Sequence, residues 1–206
     1  MKWSDTGEGG FEQPPTGTHL GICVHVIDIG TQRSEYQGQA NIRRQCIIGW
    51  ELPNELMTGE KTSGKPFLVS RFYTASLNEK SNLRADLRNW RGRDFTESEL
   101  DGFESKNILG KSCMLSITPN DKGKSKITGV MALPKGTQVP TPQYELVFFS
   151  LDGQEFDHRV FDGLSDGIKK IIQRSPEYER LTRQTPAPAA APRGATFDEM
   201  DDDIPF

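Results

Sequence analysis

Cations and flat rings interleave along parts of this chain: Arg33 and Tyr36, then Arg43, Arg44 and Trp50, then Arg71, Phe72 and Tyr73, then Lys122, Lys124 and Lys126. Guanidinium and ammonium groups pair with anionic oxygens, and aromatic faces stack on other planar groups. Together on one surface they suit a flexible polyanion that carries flat bases, which is a description of a single nucleic-acid strand. Each residue also has a plainer reading. Trp50 shares strand parity with Ile48 and Leu52, so it reads equally well as core. Phe72 and Tyr73 point to opposite faces. Tyr73 shares a face with Arg71 and is the expected platform, which leaves Phe72 for the core. Arg43 and Arg44 also face opposite sides, and the three lysines suit an ordinary solvated hairpin.

A second constellation closes the chain: Asp201, Asp202, Asp203, Ile204, Pro205 and Phe206. An apolar pair beyond an acidic run has nothing after it with which to fold, so it reads as a peptide offered to another protein. The carboxylates, with Asp198 and Glu199, would be drawn to a basic rim and set the on-rate. Pro205 restricts φ and lowers the ordering cost of docking. Phe206 offers an aromatic anchor, and its α-carboxylate a second contact.

Catalytic constellations are not apparent. Asp28, Glu35, Glu51 and Asp86 are scattered, without the clustering that a metal-dependent nuclease needs. There is no phosphate-cradling glycine loop and no nucleophile elbow, and Cys23, Cys46 and Cys113 lack an evident histidine partner. His19, His25 and His158 show no metal-ligand spacing with them. The expectation is a non-enzyme with no cofactor and no metal. The widely spaced cysteines read as buried apolar groups in a reducing compartment. With no signal peptide and no membrane-length apolar run, the expected location is the cytoplasm.

The elements that must position these residues follow from pattern. Leu20–Ile29, Ile42–Leu52 and Phe67–Thr74 read as strands, with a polar loop over Gly30–Asn41 and a long polar connection over Asn54–Lys65. Ser76 and Glu79 suggest a capping box before a helix whose inner face carries Leu83, Leu87 and Trp90. Thr96 and Glu99 suggest another box, for a short helix. Lys111–Thr118 and Lys124–Ala132 read as a hairpin around Pro119–Gly123. A sixth strand is expected within Tyr144–Leu151, and one or two helices over Leu164–Leu181, restarted at Ser175-Pro176. Arg84, Arg88, Arg91 and Arg93 accompany the first helix, where Asp86 and Asp94 can pair with them.

Charge separates body from tail. The chain carries 25 Lys and Arg against 29 Asp and Glu. One base and five acids lie from Thr185 onward, so the body holds 24 of each. The acidity therefore lies in the tail and says nothing against a nucleic-acid partner. Residues 185–197, TPAPAAAPRGATF, are expected to be a disordered linker, because they lack apolar surface to offset chain entropy. Residues 1–17 read as a flexible N-terminal arm, 18–143 as the core, 144–184 as a strand and helix extension packed on it, and 198–206 as the docking tip.

The tip Asp201–Phe206 closely resembles the acidic C-terminal end of bacterial single-stranded-DNA-binding proteins. The start of the body departs from those proteins. The blocks GTHLGICVHVIDIGTQ, NWRGRDFT and VMALPKGTQVP give it a general similarity to small phage-encoded proteins of the same replication class. The resemblance implies a mainly β fold with helices, namely an OB-fold: a five-stranded Greek-key barrel with a helix between strands three and four, here followed by a helical extension and a disordered tail. It implies a protein that coats single-stranded DNA in replication, recombination or repair, within the host cytoplasm if phage-encoded. Its tip would recruit enzymes of helicase, exonuclease, polymerase or recombinase type. A recombination mediator or annealing protein uses the same face, and an adaptor that captures replication enzymes uses the tip alone. Self-association is left open.

Overall fold

The computed structural model describes residues 12–36 and 39–184, with side chains for all of these but 34–36, 39 and 184. The fold is mainly β with a few helices. β1 (Gly17–Tyr36), β2 (Gln39–Leu56) and β3 (Pro66–Thr74) precede α1 (Asn82–Arg91) and α2 (Glu97–Asp101). β4 (Ser112–Pro119), β5 (Ser125–Met131) and the short β6 (Val147–Phe149) follow, then α3 (His158–Gly163), α4 (Asp166–Ile172) and α5 (Pro176–Gln184). The sheet runs β3-β2-β1-β4-β5 with antiparallel neighbours, while β6 lies parallel to β1 through Val26 and its neighbours.

β1 is long because, besides β6, it serves two antiparallel partners. Gly17–Ile22 pairs with β4, and Ile22–Tyr36 pairs with β2. Register shifts at Cys23/His25 and Asp28/Gly30 let one strand bend between both neighbours. The expected loop Gly30–Asn41 is instead strand up to Tyr36 and again from Gln39. Arg33 pairs with Ile42 and Gln32 with Arg43, in a two-stranded ribbon.

Alternation then divides the side chains between two clusters. Cys23, Val26, Ile48, Trp50, Leu52, Phe67 and Tyr73 face one core, completed by Leu87 and Trp90 of α1 and by Leu115, Ile117, Ile127 and Val130. Ile27, Ile29 and Ile47 face the other way and are covered by Phe149, Leu151, Phe161, Leu164 and Ile172. The extension thus packs on the sheet's opposite face. Its last helix seats against Gly30, whose φ of 71° and missing Cβ admit Ser175: a Cβ there would lie 2.5 Å from that of Ser175. Thr31 donates to Glu177 from its backbone N–H and its hydroxyl, at 2.8 and 2.6 Å, which fixes the docking.

The helix signals are partly realised. Thr96 and Glu99 form the expected capping box of α2, and α5 restarts at Pro176 after Ser175. Leu164–Leu181 holds two helices, α4 and α5, as expected, and α3 precedes them. α1 begins later than Ser76 and Glu79 suggest. Its N-cap is Ser81, which accepts from the Leu83 N–H at 3.2 Å, while Ser76 belongs to the preceding turn.

Candidate nucleic-acid interface

Most of the outer face of β2 is covered. Ile47 lies beneath the extension. The fully buried Glu51 carboxylate accepts from the backbone N–H groups of Gln143 and Tyr144, at 2.8 Å each for the shorter contacts, which straps residues 143–144 over the strand. Tyr144 also donates its hydroxyl to the Pro66 carbonyl at 2.9 Å. What stays open is the outer row of β3, Leu68, Ser70, Phe72 and Thr74, with the end of β2 at Arg43 and Gln45. Phe72 is 53% exposed and Leu68 40%. Six residue steps along a strand make this row about 20 Å long.

A groove lies at each end of the row. One, of about 620 Å³, is lined by Arg43, Gln45, Phe72, Asn78, Lys80 and Asn82, with hydroxyls of Thr74 and Ser76. The other, of about 360 Å³, runs between the edge strands, where Leu68 and Ser70 face Lys126 and Ser125. Residues 12–14 line it too: Gln13 accepts from the Ser125 N–H at 2.9 Å, and the Glu12 carboxylate accepts from Thr58 and Gly59. Those bonds hold Glu12 below the usual carboxylate range, the Thr58 hydroxyl contributing most.

The structure brings only some of the expected site residues to this surface. Arg43 and Lys126 sit at its two ends. Arg33 is exposed but shares the opposite face of the ribbon with Ile42. Lys122 and Lys124 are exposed on the β4–β5 turn, where their backbone N–H groups donate to Asn120. Tyr36 lies in β1, its side chain outside the described residues, and the linker and the tip Asp201–Phe206 lie outside them altogether.

Four expectations are corrected. Trp50 is fully buried, its ring 6.0 Å from that of Trp90. Tyr73 is only 3% exposed and donates its hydroxyl to Asp86 Oδ2 at 2.8 Å. Arg71 pairs with the same carboxylate at 2.8 Å and lies over the Tyr73 ring. Arg44 is held by Asp28 and by Asp152. A ring inside the core cannot stack on a base, and a cation already paired is a weak phosphate ligand. Burial raises the Asp86 carboxyl above its ordinary value against the pull of Tyr73 and Arg71. Burial likewise pushes the Tyr73 phenol up, which keeps it a hydrogen-bond donor. The exposed ring is Phe72, where Tyr73 was expected. Its signal was its parity with Leu68 and Ser70 on β3. Gln45 and Lys80 carried no signal until the register of β2 and the turn before α1 placed them beside it.

Among the described residues, no group of three or more His, Cys, Asp or Glu side chains is placed to hold a metal ion. No helix among them is long and apolar enough to cross a membrane. Burial pushes the thiols of Cys23 and Cys46 up to about 12. No protein-family model matches the chain, and no curated protein matches it significantly.

Proposed function

We propose that the protein binds single-stranded DNA along the outer face of β3, as a non-catalytic coat of OB-fold type. The observation that carries this reading is the open row itself: an exposed phenylalanine on the uncovered face of an edge strand, with cations at each end. Phe72 supplies the stacking face, while Arg43 and Lys80 at one end and Lys126 at the other neutralise phosphates. The architecture supports the OB-fold assignment. β1 is shared between β2 and β4, α1 falls between β3 and β4, and the edge strands β3 and β5 touch, as in a closing barrel. The tip Asp201–Phe206 recruits replication or repair enzymes by its acidic run and terminal Phe206.

Fluorescence anisotropy with labelled poly-dT tests the reading. The strand is expected to bind more tightly than its duplex form. Three phosphate contacts predict a loss of roughly twentyfold between 50 and 200 mM salt. Affinity that ignores salt sinks the phosphate contacts. No binding at all leaves only the tip, and favours the adaptor reading.

Truncation before Asp201 provides a separate check. Removing the acidic end is expected to leave poly-dT affinity equal or higher, since its carboxylates compete with phosphates for the same cations. A truncated protein that binds DNA more weakly contradicts this division of labour.

A further inference from the structure

We infer that the groove beside Phe72 seats one purine of the bound strand and reads its edge; this rests on the single-strand reading above. The lining has three features that phosphate neutralisation alone does not need. First, carboxamides gather there: Gln45, Asn78 and Asn82. Those of Gln45 and Asn82 make no hydrogen bond to any described residue. Asn78 is held in place, because its Oδ1 accepts from the Lys80 N–H at 3.1 Å, which leaves its NH₂ group to donate. Second, no carboxylate lines the groove, while Arg43 and Lys80 add further donors. Third, its volume of about 620 Å³ has room for a base swung away from its neighbours as well as its phosphate.

A donor-rich wall selects among bases. Purines carry the N7 acceptor, which pyrimidines lack. A carboxamide fits N6 and N7 of adenine, and a guanidinium fits O6 and N7 of guanine. The N4 amine of cytosine is matched best by a carboxylate, and no carboxylate lines the groove. A purine also lays the larger ring on Phe72.

The test places one guest base within a dT strand of about 15 nucleotides, within the span of such a fold. The guests are dA, dG, dC and an abasic site. Purine guests are expected to bind about fivefold tighter than dC or the abasic site, at the low end of bidentate discrimination. The Gln45→Ala, Asn82→Ala double variant is expected to lose that preference, read as the ratio of its purine-guest to dC-guest affinities. Neither carboxamide has a hydrogen-bond partner among the described residues, so the fold is expected to be kept. Gln45→Glu replaces the NH₂ donor with a carboxylate oxygen and is expected to move the preference toward dC. Equal affinity for all guests, or a purine preference that survives in the double variant, overturns the inference while the coat reading stands. Failure to bind plain dT overturns both.

Discussion

Trp50→Ala is expected to cost about 3–5 kcal/mol of stability, read by urea titration. The ring is fully buried between Cys23 on β1 and Val69 on β3, its cross-strand neighbours, and meets Trp90 of α1. Strands and helix cannot close over the space it leaves without moving the sheet, so the lost burial is joined by a cavity. Trp50→Phe separates volume from polarity. The indole N–H has no acceptor among the described residues, and a buried donor without a partner costs about 1–3 kcal/mol. Phenylalanine removes that donor while it keeps a ring against Trp90. It is therefore expected to cost less than about 2 kcal/mol. Poly-dT affinity should be unchanged in Trp50→Phe. A small stability loss in Trp50→Ala, together with weakened DNA binding, would put the ring on the surface and overturn its placement.

The same residues show how far the sequence could be read. Parity left Trp50 undecided, because a strand covered on both faces offers apolar neighbours either way, and only β2's pairing with β1 and β3 settles it. The ribbon beyond Gly30 looked like a loop for a related reason. It carries polar residues on both faces, so no alternation marks it, and its backbone pairing leaves no trace in composition. Ser76 and Glu79 have the spacing of a capping box, but Ser81 lies nearer the first helical turn, and its hydroxyl donates to the Ser76 carbonyl at 2.5 Å. Thr96 and Glu99 succeeded because nothing downstream competed with them. The cations misled most. Arg44 and Arg71 were legible as charges, but their partners Asp28, Asp152 and Asp86 are brought to them by register and by the docking of α1. A site built from side chains without partners is the hardest to foresee, since freedom from a partner is a property of the whole fold.

Phe72→Ala is expected to weaken poly-dT binding by about tenfold or more, the loss of one base–aromatic stack. The same change should move stability by no more than about 0.5 kcal/mol, because the ring is half exposed and borders a groove. Its neighbour is the control. Tyr73→Phe deletes the hydroxyl that donates to Asp86 and leaves that half-buried carboxylate to Arg71 alone. That variant is expected to lose about 1–2 kcal/mol of stability with no change in DNA affinity. The adjacent positions should therefore give opposite results, because one residue along a strand turns the side chain to the other face. If Tyr73→Phe weakens DNA binding and Phe72→Ala does not, the strand lies on the other face and the outer row of β3 is not the path. If Phe72→Ala alone weakens it, the exposed ring carries the stack, and Arg43, Lys80 and Lys126 become the next substitutions for the salt dependence.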